Sequence, residues 1–514
     1  MNKMNWRAYK LDIINNNVRR NWLSKIWLGV LSVILSFTYS SNPIISYDDQ
    51  HDGSMFYYFG RIMNQGLHAY SDAFDHKGPL LFYINAWGYP SVFGIKIMWI
   101  IEIVSLFVTL LFIYKTACYF THILISHVIT LLSGIFIVYV MYLGNLSEEF
   151  ALPFISLSLY IAVSYILHKC RKRSEWLYFY LFSISGTAVL FLRANMVSLW
   201  VSTILLFIVM TIYKHQISYL FNRILVVGSG ILTVIIPIVA YNLIIGTFRD
   251  MWYQAFTFNF LYSREPNPNH FVDVFLDFVH LFNEFGLFFI LIIYFAMMIY
   301  KFNGLSFELK SVNIFLTIIT ILNFLTILIS KRPYAHYAAT EIPMLAVITA
   351  CMLSLLFSEK RKMSLQFILS TFLLVCCSLN GLIDTKRQVT NLINLGNNSS
   401  ISNVVSYVET HTKSTDKIYV HKIDANIYNY SNRNSNSRFF VLPSVNLDHF
   451  PKLENEFITS MKKNSPKLII TDKGFTTEKF NEKYQTKLQI ILKQKYQLVK
   501  TNEQYKIYSL KLNR

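Results

Sequence analysis

Polar and apolar positions in this chain alternate on the scale of a bilayer rather than of a soluble core. A helix needs about 20 apolar residues to cross the hydrocarbon layer. Such runs recur at approximately 26–41, 96–114, 118–141, 150–168, 175–191, 195–213, 224–246, 284–300, 312–330, 336–357 and 364–382. They predict about eleven transmembrane helices. Because they continue to Leu382, the run from Ile26 reads as the first span of a series and not as a cleaved signal peptide before a soluble domain. The segment 79–93 is apolar but short, with Pro79 at one end and Gly94 just past the other, and reads as an interfacial or re-entrant helix.

The pattern changes near Asp384. Residues 385–514 are polar and rich in Asn, Lys and Tyr, with no spanning run. The pieces KIYVHKI, RFFVLP, KLIITD and YKIYSLK read as strands, and LENEFITSMKKN and TEKFNEKYQTKLQIILKQ as helices. The expected architecture is therefore an all-α polytopic membrane module with a small α/β extracytoplasmic C-terminal domain. The expected boundaries are 1–25 for a cytoplasmic N-terminal segment, 26–383 for the transmembrane module with a first outer loop at 42–95, and 384–514 for the tail domain.

Composition agrees with the pattern. The chain is 54% hydrophobic and 15% charged, where a soluble enzyme carries roughly a quarter charged residues. Its net charge of +18 would suggest nucleic acid in a soluble protein. Here it follows the cytoplasmic bias of Lys and Arg, and no nucleic-acid partner is expected. With the N-terminus inside, every cytoplasmic connection is basic: Lys115, Lys169 to Arg173, Lys214 to Arg223, Lys301 to Lys310 and Glu359 to Lys362. The tail then lies outside. It carries 21 Lys and Arg against 10 Asp and Glu, so +11 of the total +18. That charge suits lipid head groups or an acidic polymer, and equally a solvated basic surface. Two outer turns break the charge rule, at Arg193 and at Lys331-Arg332, and such exceptions are places to look for a bound anion.

Ionisable groups collect in the outer connections. The first loop supplies Asp48, Asp49, His51, Asp52, Arg61, Asp72, Asp75, His76 and Lys77. The second supplies Asn145, Glu148 and Glu149. Later turns supply Arg193, then Lys331, Arg332, Tyr334, His336, Tyr337 and Glu341. Charges at span ends usually pair or face a wet cavity. Acids lie early and cations late, and a bundle that joins them would have an acidic side suited to deprotonating a hydroxyl and a cationic side suited to phosphate. Each group also has a plain reading. Glu148-Glu149 would cap the following helix, Lys331-Arg332 would snorkel to lipid phosphate, and His336-Tyr337 would anchor at the interface.

The stretches HDGSMFYY, YSDAFDHKGPLLFY, GNLSEEFALPF, FLRANMV and RPYAHYAATEIP together resemble the GT-C membrane glycosyltransferases, over about residues 26–345. The branch resembled is the glycosyltransferase family 39, aminoarabinose-transferase-like and protein-mannosyltransferase-like group of bacterial enzymes. The resemblance implies transfer of a sugar from a polyprenyl-phosphate donor to a hydroxyl acceptor at the outer face, with inversion. It implies an aspartate general base at Asp52, which stands four residues before Phe56 as the family pattern asks. It implies a second acidic position at Asp75, although related enzymes place the acid directly before the lysine, where this chain has His76. Lys77 matches a lysine near the donor phosphate, and Glu148 or Glu149 an acidic second-loop motif. Arg193, Lys331, Arg332, His336 and Tyr337 match phosphate-binding positions more loosely. The acceptor would be an extracytoplasmic glycan, lipid or protein.

A transporter or flippase, or a polymerase of lipid-linked glycans, is the alternative reading. Transporters place polar groups near mid-span, whereas most charges here lie at span ends. Polymerases usually carry a large late loop, whereas the largest outer loop here is the first. No cofactor is required by the chemistry. The carboxylates leave room for a divalent metal, although no ligand spacing demands one.

Overall fold

In the computed structural model, the described residues are 22–45, 51–169, 174–213, 217–262, 270–357, 363–395, 399–422, 424–443, 445–475 and 482–511. Asp48, Asp49, the N-terminal segment to residue 21 and the basic connections at 170–173, 214–216 and 358–362 lie outside them. Among the described residues, nine helices are long and apolar enough to cross a membrane: Ile97–Ala117, Ile123–Met141, Ser147–Ile166, Glu175–Leu192, Arg223–Ile244, Leu287–Gly304, Phe307–Ile329, Ala335–Leu356 and Ser364–Leu392. Two shorter apolar helices, Trp22–Ser36 and Ser198–Val209, fall on the other two predicted runs. The protein is a multi-pass membrane protein. Helices form at these runs because hydrocarbon offers the backbone no water, so each segment must satisfy its own N–H and C=O groups.

The chain divides into two compact units. The first contains residues 1–39, 100–238 and 267–390, which hold most of the spans. Its central helix is Ala335–Leu356, with 89% of its apolar window buried inside the protein.

The second unit joins three stretches far apart in sequence: 40–99, 239–266 and 391–514. Its framework is a five-stranded sheet. Strand Lys417–His421 lies between Asn434–Ser435 and Leu468–Asp472, parallel to both. Tyr505–Leu510 then pairs antiparallel with Leu468–Asp472, and Tyr496–Thr501 adds antiparallel at the edge. Helices Pro451–Lys463 and Lys483–Lys495 cover the sheet through Phe457, Met461, Leu488 and Leu492, all buried. The same apolar cluster takes Phe74 from the first loop and Phe258 from the middle stretch.

Helix Asp52–Asn64 docks on this framework by polar contacts. The amide of Ala425 donates to Ser54 Oγ at 2.9 Å, and Asn429 Nδ2 to the Ser54 carbonyl at 2.8 Å. The amide of Ser435 donates to the Tyr58 hydroxyl at 3.0 Å. Arg61 is 1% exposed. Its guanidinium donates to Asn432 Oδ1 at 3.0 Å and the Arg433 carbonyl at 2.7 Å, and lies 5.0 Å from the Tyr58 ring centre. Next along the loop, Pro79 occupies the first turn of helix Pro79–Gly88, where its missing N–H costs nothing. This short helix falls on the apolar segment 79–93 noted in the sequence.

One sequence expectation needs correction, and two features were not read from the sequence. RFFVLP is not a strand: Phe439 and Phe440 are both buried, Phe440 stacking on Tyr58 at 4.2 Å and Phe439 facing Phe74 at 5.5 Å, so the alternation of a strand is absent. The edge strand Tyr496–Thr501 was not anticipated, because its outward positions give no apolar period. The connection 247–283 is largely helical, with Phe248–Trp252, Asn259–Tyr262 and the amphipathic Phe271–Glu284.

Arg61→Ala would leave the buried Arg433 carbonyl without its guanidinium donor. The expected cost is about 2–3 kcal/mol, measured as a lower unfolding midpoint of the purified protein and faster proteolysis within the tail.

Candidate active site

The sequence-predicted residues fall into two clusters, one in each unit. In the second unit, Asp52 is the first residue of its helix, where the helix dipole favours a carboxylate. Asp75, His76 and Lys77 follow the buried Tyr70–Phe74 turn and precede the Gly78-Pro79 helix start. The Lys77 amide donates to Asp75 Oδ1 at 2.8 Å, closing a tight turn. His76 Nδ1 lies 3.9 Å from the same oxygen, and its Nε2 lies 3.5 Å from Lys77 Nζ. Lys77 Nζ also stands 6.0 Å from the Phe56 ring centre, over the helix that begins at Asp52. The Tyr70 hydroxyl donates to the Lys77 carbonyl at 2.9 Å.

The Asp75 side chain is 11% exposed. Burial raises its pKa above the ordinary carboxylate value, Lys77 works against the rise, and the charge of Asp52 adds to it. Asp52 and Asp75 therefore share one electrostatic environment with Lys77 between them in effect. A carboxylate beside a carboxyl whose pKa is raised by burial, with an ammonium at hand, can accept a proton from a hydroxyl and face an anion.

In the first unit, Glu148 and Glu149 begin helix Ser147–Ile166. The turn before it is strained: Tyr142, Leu143, Gly144 and Asn145 all have positive φ, at 29°, 69°, 74° and 54°. Side chains other than glycine rarely adopt this region. Glu149 stabilises the turn by accepting from the Asn145 amide at 2.7 Å, which is the capping role weighed from the sequence. Glu148 accepts from Ser147 Oγ at 2.8 Å and pairs with Arg193. Arg193 sits in extended conformation between Glu175–Leu192 and the turn Ala194–Met196. Its guanidinium lies 4.2 Å from the Tyr337 ring centre. Burial works against its charge, but Tyr337 and Glu148 outweigh burial, and its pKa lies above the ordinary value.

An early acid and two late groups thus meet as the sequence suggested. The space beside them is small, a cavity of about 10 Å³ bordered by Asn195, Asn323 and Thr340, room for about one water. Lys331 is exposed with φ of 50°, and Arg332 is half-buried just after helix Phe307–Ile329. His336 stacks on Tyr334 at 5.6 Å and meets Tyr337 edge-on at 4.8 Å.

Several participants were not singled out from the sequence. Asn323 donates to Glu341 Oε1 at 2.9 Å and to Thr340 Oγ1 at 3.0 Å, and accepts from Ser198 Oγ at 2.6 Å. Glu102 is fully buried inside an apolar helix, and a side chain at Gly144 would come within 3.0 Å of its carboxylate. A lone acid within an apolar run is the signal that would have found it. Gln254 and Asn259 contact the Asp75–His76 segment from the connection between the runs 224–246 and 284–300. Among the described residues, no group of three or more His, Cys, Asp or Glu side chains is arranged to hold a metal ion.

Two outcomes test these clusters. Glu148→Gln or Arg193→Met alone leaves one buried charge unpaired, at an expected cost of about 3–5 kcal/mol, and the double variant recovers most of it; thermal unfolding of the four proteins measures the cycle. Folded Asp75 holds its proton more tightly than the unfolded residue does. That contributes stability below the ordinary carboxylate pKa and is lost as pH rises through the raised value. Asp75→Asn is therefore expected to stabilise the protein at neutral pH, with the difference from wild type vanishing in denaturation curves taken below about pH 4.

The sequence profile described as "Putative competence-induced protein Ccs4 N-terminal domain" matches residues 14–373, and the one described as "Putative competence-induced protein Ccs4 C-terminal domain" matches residues 398–511. No curated protein matches the sequence. Among solved structures, the fold is similar to ArnT from Cupriavidus metallidurans in the apo state, with a TM-score of 0.61 and 11% identity over 95% of this chain and 98% of that one. The same enzyme bound to undecaprenyl phosphate gives 0.59 and 11% over 94% and 97%. The Archaeoglobus fulgidus oligosaccharyltransferase with zinc and sulfate gives 0.53 and 13% over 88% of this chain and 68% of that one. These likenesses show a GT-C fold. The match over 14–373 shows the family: this chain belongs to the family of the competence-induced protein Ccs4.

Proposed function

We propose that the protein is a membrane glycosyltransferase that moves a sugar from a polyprenyl-phosphate donor to a hydroxyl acceptor at the non-cytoplasmic face. The observation that carries the reading is the half-buried cluster Asp52, Asp75, His76 and Lys77 on a GT-C fold. One of its structural neighbours was solved with undecaprenyl phosphate and another, the archaeal oligosaccharyltransferase AglB, with dolichol phosphate. Within the GT-C enzymes, the motif resemblance favours the aminoarabinose-transferase-like branch.

In this reading Asp52 takes the proton of the acceptor hydroxyl as its oxygen attacks the anomeric carbon. The bond to the donor phosphate breaks on the opposite side, and the phosphate leaves with the electron pair, giving inversion. Lys77 meets the growing charge on the leaving phosphate. Asp75 and His76 hold Lys77 in place. A phosphate is already a good leaving group, so no strong general acid is asked of the protein. In the first unit, Arg193 is held by Glu148 and Tyr337 and fixes the turn. An apolar cavity of about 550 Å³, lined by Tyr165, Phe179, Phe182, Trp200, Phe207 and Phe315, suits an isoprenoid chain. The N-terminus would then face the cytoplasm and the tail domain the outside.

The deciding experiment is proteoliposomes with labelled undecaprenyl-phosphate sugars, reading polyprenyl phosphate released and label transferred. Wild type is expected to transfer, and Asp52→Asn to lose about 10²–10⁴ of the rate. Unchanged transfer in the variant removes Asp52 from the mechanism, and donor crossing the bilayer with no transfer replaces the reading with a flippase.

A further inference from the structure

The segment that follows the span Arg223–Ile244 contains an irregularity that helix propensity does not demand. After Phe248–Trp252, the backbone opens into a π-helical turn at Tyr253–Phe258 before the α-helix Asn259–Tyr262. Such turns are uncommon and frequently mark functional sites. Their geometric effect here is specific. In an α-helix, residues five apart are turned about 140° from each other. In a ladder of bonds between residues five apart, they stack on one face. Gln254 and Asn259 are five apart, and both reach the segment that carries Asp75 and His76.

Gln254 is fully buried, and both ends of its amide are used. Its Nε2 donates to the Tyr70 carbonyl at 2.8 Å, and its Oε1 accepts from the Asp75 amide at 3.2 Å. One side chain therefore bridges the two ends of the Tyr70–Asp75 turn, whose first residue has a φ of 71°. Asn259 Nδ2 donates to the His76 carbonyl at 2.5 Å and back to the Ala255 carbonyl at 2.7 Å. Between them, fully buried Phe258 meets Phe74 edge-on at 5.2 Å. The turn thus grips four points of one segment: the carbonyl of residue 70, the ring of 74, the amide of 75 and the carbonyl of 76. None of these contacts touches the Asp75 carboxylate or the Lys77 ammonium. They fix the backbone from which both groups project.

We propose that this π-helical turn is a positioning element for the candidate site, in which Gln254 and Asn259 set the placement of Asp75 and Lys77 by holding the backbone of residues 70–76. The inference rests on the proposed function only for why that placement matters. The placement itself is a property of the protein without substrate. If the turn closed to a regular α-helix, Gln254 and Asn259 would part, and one of the two holds would be lost. Burial of Asp75, which raises its pKa, depends on the segment staying where these amides keep it.

The test uses the purified full-length protein in detergent and an apolar carbodiimide, which reacts with a protonated, desolvated carboxyl. Labelling of Asp75 is followed by peptide mass spectrometry across a pH series in wild type, Gln254→Met and Asn259→Leu, with unfolding midpoints taken in parallel. If the turn positions the segment, each variant stays folded and its Asp75 labelling profile shifts to lower pH as the carboxyl becomes more hydrated. A merely structural role lowers the unfolding midpoint and leaves the labelling profile where it was. Folded variants with unchanged profiles overturn the proposal, as does loss of fold in both, which would make the two amides structural. No donor lipid is used, so the result stands apart from whether the protein transfers sugar.

Discussion

A guanidinium in an apolar interior must find acceptors or it will not stay there, and Arg61 is the point on which the second unit turns. It is among the largest fully buried side chains of the protein. Its acceptors among the described residues lie in the tail, at Asn432 and Arg433, more than 370 positions away. Helix Asp52–Asn64 must therefore lie against the C-terminal domain, with Ser54 and Tyr58 making the same connection one and two turns earlier. Because Asp52 opens that helix, the placement of the candidate base follows from contacts made at its far end. The tail acts as the seat of the first loop, and the two together form one body.

The same logic of satisfied polar groups orders the first unit on a smaller scale. Four residues with positive φ turn the chain between Met141 and Ser147, a cost that only surrounding structure can offset. Glu149 supports that turn by capping it, and Glu148 reaches across to Arg193 and the Tyr337 ring. Two adjacent glutamates that look alike in sequence thus do different work. The ion pair leaves space for about one water, which makes Arg193 a brace for its turn.

The family match and the fold meet on one chemical theme. The fold is that of the GT-C proteins, and the first loop of this chain carries two acids and a lysine, one of the acids with its pKa raised by burial. The π-helical turn adds a second layer: the Gln254 and Asn259 amides hold the backbone of residues 70–76, while the Asp75 carboxylate takes its own contacts from Lys77 and His76.

The sequence by itself determined where the helices are, because a bilayer-length apolar run has one backbone solution in hydrocarbon. All eleven predicted runs fall on helices, and the start of the short helix at Pro79 follows from a proline that suits a first turn. Periodicity also located three strands and both covering helices of the tail. It could not place Phe439 and Phe440, whose burial depends on Tyr58 and Phe74 from the first loop. Nor could it show that Gln254 and Asn259 serve Asp75, since an amide's partner is chosen by distance in space and nothing in its neighbours along the chain encodes it. Local pattern fixed the elements. Only tertiary structure decided that residues 40–99, 239–266 and 391–514 form one unit, because the hydrogen bonds that join them link positions with no sequence relation to each other.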